Sequence, residues 1–400
     1  MVKDNIEVGV KMKKTFKILS FILILIIFMS FGQMFVFDFA KAKAPQDEFQ
    51  TSVKAALLID TNSKTVIFEK DADKKLPIAS MTKLTGLAVV FDAIENGKIR
   101  LEQEITVSSN AASVEGSEAF LDANKRYKVE DLIKTVIISS ANDSMVALAE
   151  STYGSEDNFV EKMNSLATEL GMNNTRFSNS TGLPCADHYS TARDLVRVYE
   201  AVGSNAIYKK YAKIWIDELV HSSGRKTQLV NTNRLIRNYK GCTGGKTGFT
   251  NEAGYCLTAS ATRGDMNLIG VVIGSENSKL RFSAMTDLFD YGFNNFENRV
   301  VVKKDKPLCE ISVKGSTIKT VQGFAREDYI KFLKKGEDFE YSTELQFDII
   351  KAPVKAEQKV GSLLILDKNN IVIDEIDIIT GQDIDKIKIN EILDNIYVNW

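Results

Sequence analysis

The sequence predicts an α+β protein: an antiparallel sheet with helices and a helical subdomain, followed by a small all-β domain. Three observations carry that prediction. Two short apolar runs begin just after residue 50, helical patterns fill the middle of the segment, and three strand-like runs close it before residue 275. From about Val300 the texture changes to short alternating runs.

In chain order, "AALLID" (Ala55–Asp60) and "TVIFEK" (Thr65–Lys70), split by "TNSK", read as a β-hairpin. "SMTKLTGLAVVFDAIENG" is helical. Leu84, Leu87, Ala88, Phe91 and Ile94 recur at helical spacing, and Val89 and Val90 add apolar surface elsewhere. A helix apolar on most sides is a buried one. Gly97 suits its C-terminal cap. Further helices are expected over Val129–Ile138, Asn142–Thr152, Glu156–Gly171 and Thr191–Val202. Strands follow over Gly241–Thr250, Gly254–Arg263 and Met266–Gly274, then the helix "SKLRFSAMTDLFDYGF". The late β region includes one expected helical insert, "REDYIKFLKKG". The tail "DIDKIKINEILDNIYVNW" places Ile384, Ile387, Leu393, Ile396, Tyr397 and Trp400 roughly on one helical face. Its polar face mixes acids with Lys386 and Lys388, a poor match to a basic membrane-surface helix, so docking on protein stands beside membrane contact. The expected division is an export signal or anchor over 1–44, a main α+β domain over 45–298, a β domain over 299–382 and an amphipathic helix over 383–400.

Lys11, Lys13, Lys14 and Lys17 precede the apolar run Ile18–Gly32, the pattern of an export signal. "AKA" at Ala40–Ala42 or Ala42–Ala44 supplies a cleavage site; apolar residues through Phe39 keep an uncleaved anchor open. Either way the remaining chain is expected outside the cytoplasmic membrane. The formal charge is −2, and removing the first 42 residues leaves 45 basic against 50 acidic side chains, which argues against a nucleic-acid partner. With four Cys, no C-x-x-C pair and two His, neither a metal nor a cofactor is expected. Cys242 and Cys256 flank a hairpin in which residue 242 would face about 262, so they are not expected to pair with each other.

Three stretches carry chemistry. Ser80 and Lys83, in "LPIASMTKLT", fall one turn apart at the start of the buried helix, so they share a face. A hydroxyl needs a base, and an amine serves only where burial or a second cation lowers its pKa. Alone, S-x-x-K is more often a Ser cap beside a solvated Lys. "SSANDS" puts Ser140 and Asn142 between two helices, where either reads as an N-cap. "GGKTGFT" puts Lys246, Thr247, Gly248 and Phe249 on a strand. The glycines there are odd unless something approaches the backbone closely.

In the order S-x-x-K, S-x-N, K-T-G, these are the motifs of the penicillin-recognising serine acyltransferases. The chain resembles the low-molecular-mass D-alanyl-D-alanine carboxypeptidases, and Met163–Pro184 and His188–Val196 look like that family's connecting segments. The resemblance implies a β-lactamase/transpeptidase-like domain ahead of the β domain. It implies that Ser80 attacks the carbonyl between two terminal D-alanines of a peptidoglycan stem peptide, with Lys83 as base. Lys246 would keep Lys83 neutral and attract the terminal carboxylate, with Thr247 hydrogen-bonding it. Ser140 would relay a proton to the leaving amine, and Asn142 would position Lys83 and the substrate amide. Backbone N–H groups of Ser80 and Phe249, beside Gly248, would form the oxyanion hole. β-Lactams would acylate Ser80.

The rivals are a β-lactamase and a non-catalytic binder of cell-wall peptide. The first needs a deacylating carboxylate, and Glu169 is the candidate; Phe159, Met163, Leu166 and Leu170 form that helix's apolar face, which turns Glu169 to solvent. The second would be expected to have lost Ser80 or Lys83, and both are present. A Ser-His-Asp site is disfavoured: His188 is expected to make a structural hydrogen bond beside the cap of the Thr191 helix, and Cys185 in the same loop to be a small structural residue.

Overall fold

The computed structural model describes residues 51–347 and 350–388. The expected export signal and residues 389–400 of the expected terminal helix lie outside the described residues. The chain forms two compact units. Of the described residues, one gathers 51–59, Val66–Thr262 and Leu268–Phe289; the other gathers Asp60–Thr65, Arg263–Asn267 and those from Asp290 onward.

The first unit is organised by a five-stranded sheet. Its strands are β1 (Ala55–Asp60), β2 (Thr65–Lys70), β3 (Cys242–Thr250), β4 (Gly254–Arg263) and β5 (Met266–Ser275), in the order β2-β1-β5-β4-β3. The two ends of the segment therefore meet as β1 beside β5, and β3 is an edge strand. β3 and β4 are antiparallel, with Cys242 opposite Ala261 and Cys256 opposite Gly248. All four Cys carry free thiols.

Between the strands lie α1 (Lys83–Glu95), α2 (Val129–Ile138), α3 (Asn142–Tyr153), α4 (Glu156–Glu169) and α5 (Ala192–Ser204). The helix α6 (Ser278–Asn295) follows β5. Leu84, Leu87, Val89, Val90 and Phe91 of α1 are all buried. At about 1.5–3 kcal/mol for each large apolar side chain removed from water, this stripe alone anchors α1 firmly. Ser155 caps α4 through the Asn158 N–H, and Thr191 caps α5 through the Asp194 N–H. The sequence pattern placed Ser80 inside the first turn of α1. It sits instead in a separate 3-10 turn, Ala79–Thr82, just before the helix.

Beyond the end of α6 the second unit is β. Its strands are β6 (Phe296–Val302), β7 (Pro307–Lys314), β8 (Thr320–Ala325), β9 (Tyr329–Lys334), β10 (Tyr341–Phe347), β11 (Ile350–Lys351), β12 (Lys359–Asp367) and β13 (Val372–Thr380). Six form one sheet in the order β10-β12-β13-β8-β7-β11, and β6 pairs with β9. Two expectations are corrected here. The segment read as a helical insert is strand β9: it pairs antiparallel with β6, and Phe332 stacks on Phe296 at 5.0 Å. Alternating Tyr329, Lys331 and Leu333 fit that pairing better than a helix period. Residues 383–388 are not helical either. Ile384 makes a β-bridge with Val354 and is buried in the core of this unit, so the first apolar residue of the supposed helical face is spent on the sheet. Among the described residues no helix is long and apolar enough to cross a membrane.

Candidate active site

The turn holding Ser80 is fixed from both sides. Thr82 Oγ1 is 2.7 Å from His188 Nε2, and His188 Nδ1 accepts from the Ser178 N–H at 3.1 Å. Because Nδ1 is an acceptor, Nε2 carries the proton and donates to Thr82. Burial lowers the His188 pKa to about 4, so the imidazole is neutral near pH 7. His188 is thus structural, but it braces the Ser80 turn rather than the cap of α5. His221 bonds Tyr127 and Thr227 and takes no part in this arrangement. On the other side of the turn, Gly182 adopts φ +84°, and a Cβ there would collide with the Ala79 carbonyl, so only glycine lets this loop close on the turn.

That loop completes the surroundings of Lys83. Lys83 Nζ lies 2.8 Å from Ser80 Oγ and donates to the Thr181 carbonyl, also at 2.8 Å. The side chain is fully buried. Its pKa falls well below the ordinary lysine value, first through burial and then through the charge of Lys246, with the Asp143 carboxylate acting in the opposite sense. A neutral amine with one N–H committed to Thr181 O has a lone pair free for the Ser80 hydroxyl proton.

Lys246 comes from edge strand β3. Its Nζ donates to Ser140 Oγ at 2.6 Å and to the Thr247 carbonyl at 3.1 Å. Burial, then the charge of Arg281, lowers its pKa to about 7. Ser140 occupies the left-handed region at φ +67°. Gly248 answers the puzzle of glycines in a strand: a Cβ there would lie 2.7 Å from the Ile78 carbonyl and 3.2 Å from the Ser80 nitrogen. Only a bare backbone brings β3 that close to Ser80. Thr247 is buried, whereas Phe249 is half exposed and packs on Tyr255 at 4.2 Å.

Neither Ser140 nor Asn142 is the N-cap that the sequence suggested. Asn142 is the first residue of α3, and the cap position falls on Ala141. Asn142 Nδ2 donates to the Glu115 carbonyl at 2.6 Å, while its Oδ1 is buried without a partner. Asn142 does not bond Lys83. The next residue, Asp143, was not singled out from the sequence, although its place one step past S-x-N was a signal. Its buried carboxylate accepts from the Ala119 and Leu121 N–H groups, each at 3.0 Å, and so fastens the 115–121 segment to the start of α3. Arg281 was missed as well. Its guanidinium is buried and donates to the Gly248 and Cys256 carbonyls at 3.2 and 3.3 Å. Nothing in a helical pattern 33 residues downstream of Gly248 announced that link. Glu169 lies in the last turn of α4, exposed and engaged with Ser165 and Lys162.

A hydroxyl with a buried amine beside it, and a second amine entering from an edge strand, define a site of the serine-acyltransferase class. Comparison with known proteins narrows the class. The D-alanyl-D-alanine carboxypeptidase family matches residues 40–277, and the penicillin-binding protein 5 C-terminal domain matches residues 296–386. The chain is 36% identical to the D-alanyl-D-alanine carboxypeptidase DacF of Bacillus subtilis over 377 residues, which is 92% of this chain and 95% of that one. It is 32% identical to DacA of Escherichia coli over 327 residues, 78% of this chain and 79% of that one. Among solved structures, penicillin-binding protein 5 from Haemophilus influenzae has a TM-score of 0.71 at 29% identity, over 86% of this chain and 100% of that one, so the likeness extends through both units. The chain belongs to the D-alanyl-D-alanine carboxypeptidase family, and with it to the serine-type carboxypeptidases.

Proposed function

We propose that Ser80 is the nucleophile of a carboxypeptidase that removes the terminal D-alanine from peptidoglycan stem pentapeptides, and that β-lactams acylate the same hydroxyl. The observation that carries this reading is the 2.8 Å approach of a buried Lys83 amine, with no carboxylate bonded to it and its pKa lowered, to Ser80 Oγ. Ser80 Oγ bonds to the penultimate D-Ala carbonyl carbon as its proton passes to Lys83 Nζ. The C–N bond then breaks as the proton held on Lys83 Nζ passes to the leaving amine through the Ser140 hydroxyl, itself 2.6 Å from Lys246 Nζ, and Lys83 is neutral again. Water hydrolyses the ester with Lys83 as base, and the proton taken from water returns to Ser80 Oγ as the shortened peptide leaves.

The remaining groups bind. Lys246 and Thr247, backed by Arg281, attract the terminal carboxylate. The partnerless Asn142 Oδ1 accepts from the substrate amide. The N–H groups of Ser80 and Phe249 receive the oxyanion, for which the close pass of Gly248 leaves room. Edge strand β3 offers an open backbone rim along which an extended peptide can lie as an added strand. The signal-like first 44 residues support action outside the cytoplasmic membrane, followed by a catalytic domain over 45–298 and a β domain over 299–382. Contact with the membrane surface is carried by the amino-terminal segment, should it stay uncleaved, or by the residues after 388.

The test is D-alanine release from a D-Ala-D-Ala pentapeptide by wild type and Ser80→Ala, alongside labelling with a fluorescent penicillin. Loss of at least about 10³-fold in kcat together with loss of the label supports the assignment. Undiminished release by the variant sinks it.

A further inference from the structure

The reaction above needs the Lys83 amine to turn its lone pair toward Ser80, and the Thr181 carbonyl is the group that holds it so. What aims that carbonyl is the side chain of Asn179, a residue not singled out from the sequence. Asn179 Oδ1 accepts from the Gly182 N–H at 2.7 Å, and from the Thr181 N–H and hydroxyl, each at 3.2 Å. In a planar trans peptide the N–H and the C=O point in opposite directions. Tying the Gly182 N–H to Asn179 therefore turns the Thr181 carbonyl the other way, onto Lys83 Nζ at 2.8 Å. An Asn that bends a loop around its own side chain is common. Here the bent peptide is the one that touches the base.

The bend is anchored from α4. Glu156, the first residue of that helix, accepts the Ser180 N–H at 2.9 Å and the Ser180 hydroxyl at 2.6 Å through one oxygen. Asn164, two turns further on, exchanges two hydrogen bonds with the Phe177 backbone, both at 2.9 Å. Ser180 and Thr181 are buried, which shelters the carbonyl from competing water. Lys246 from β3 and Asp143 from α3 are the charges that act on Lys83. Neither is hydrogen-bonded to it, so Ser80 and the Thr181 carbonyl fix the direction of its Nζ.

We propose that Asn179, anchored through Ser180 by Glu156, is a positioning residue for acylation: it aims the carbonyl that fixes the rotation of the Lys83 amine, and so the direction of its lone pair. The proposal rests on the reading of Lys83 as the base. No bond beyond those of that reaction forms or breaks. Without the carbonyl the amine turns among several orientations, of which one serves, and acylation slows although every reacting group is still present.

The experiment follows fluorescent-penicillin labelling of the full-length enzyme as a time course, which separates the rate of acylation from its final extent. In Asn179→Ala the rate should fall by about tenfold, with the final extent equal to that of wild type. Asn179→Ser, whose hydroxyl makes the same turn without adding charge, should restore the rate to within about threefold of wild type. An unchanged rate in Asn179→Ala overturns the proposal, and so does a rate that stays as low in Asn179→Ser. A lower final extent reached at the wild-type rate overturns it too, because that marks a residue that only keeps part of the population folded. If Asn179→Ala does not fold, Glu156→Ala is read in its place: it loosens the anchor and leaves the turn, and should slow labelling about threefold. An unchanged rate there overturns the proposal. A wild type that takes no label removes the carboxypeptidase reading, and the proposal with it.

Discussion

Lysines in the two units behave in opposite ways. In the second unit Lys355 and Lys359 are exposed beside Asp383 and beside Asp377 and Glu375, and those carboxylates raise their pKa. In the first unit Lys83 and Lys246 are buried without a carboxylate bonded to either amine, and burial lowers their pKa. The same side chain is a solvated ion in one unit and a buried amine of lowered pKa in the other, and only the surroundings differ. Buried charge without a counter-ion is costly to a fold, so where it persists it marks chemistry.

The contrast can be broken most forcefully at Lys83. Lys83→Met keeps the length of the side chain and removes the amine. Acylation by penicillin and D-alanine release should each fall by about 10²–10⁴-fold, while thermal unfolding shows a Tm equal to or above wild type. A large drop in Tm would mean that the amine is structural.

Lys246→Gln comes next. It should raise KM for substrates with a free carboxylate, lowering kcat/KM by about 10–100-fold. Removing this positive charge raises the Lys83 pKa, so the acid limb of the kcat–pH profile should move to higher pH. The same group links stability to pH. Its pKa is about 7 when folded and about 10.4 when unfolded, so between these values the unfolded chain binds the extra proton and stability rises with pH. Wild type should therefore gain more in Tm than Lys246→Gln between pH 7 and 9 when both are scanned by calorimetry; equal gains would place the titration elsewhere. The smallest effect belongs to the second unit. Lys359→Ala should leave both Tm and D-alanine release unchanged within error, because exposed ion pairs contribute little.

How much of this was legible in the sequence follows the range of the interactions involved. The buried faces of β1 and α1, the start of the helix at Thr191 and the pairing of β3 with β4 are set by neighbours in the chain, and they stand in the pattern. Ser80 and Lys83 are one turn apart, so their shared face could be read from spacing, while their meeting as nucleophile and base rested on the two other motifs. The approach of Lys246 to Ser140 spans 106 residues and was reached only through the resemblance in motif order. Arg281 beneath Gly248 and His188 against Thr82 were not legible, because no local period encodes a hydrogen bond across the sheet or between loops. Strand β9 was misread since "YIKFLK" satisfies either period until a partner strand is known. Asn142 was expected to position Lys83, and the bond it makes instead, to the Glu115 carbonyl, belongs to a loop of no regular pattern.

The left-handed backbone at Ser140 has a consequence for anyone engineering this protein. A non-glycine residue held there carries a local penalty of about 1–2 kcal/mol, which Ser140→Gly would relieve while erasing the hydroxyl that receives the Lys246 hydrogen bond. Selection for heat resistance alone would favour that exchange and remove the hydroxyl on which the proposed proton relay depends, so such a campaign has to be run with turnover as its first filter.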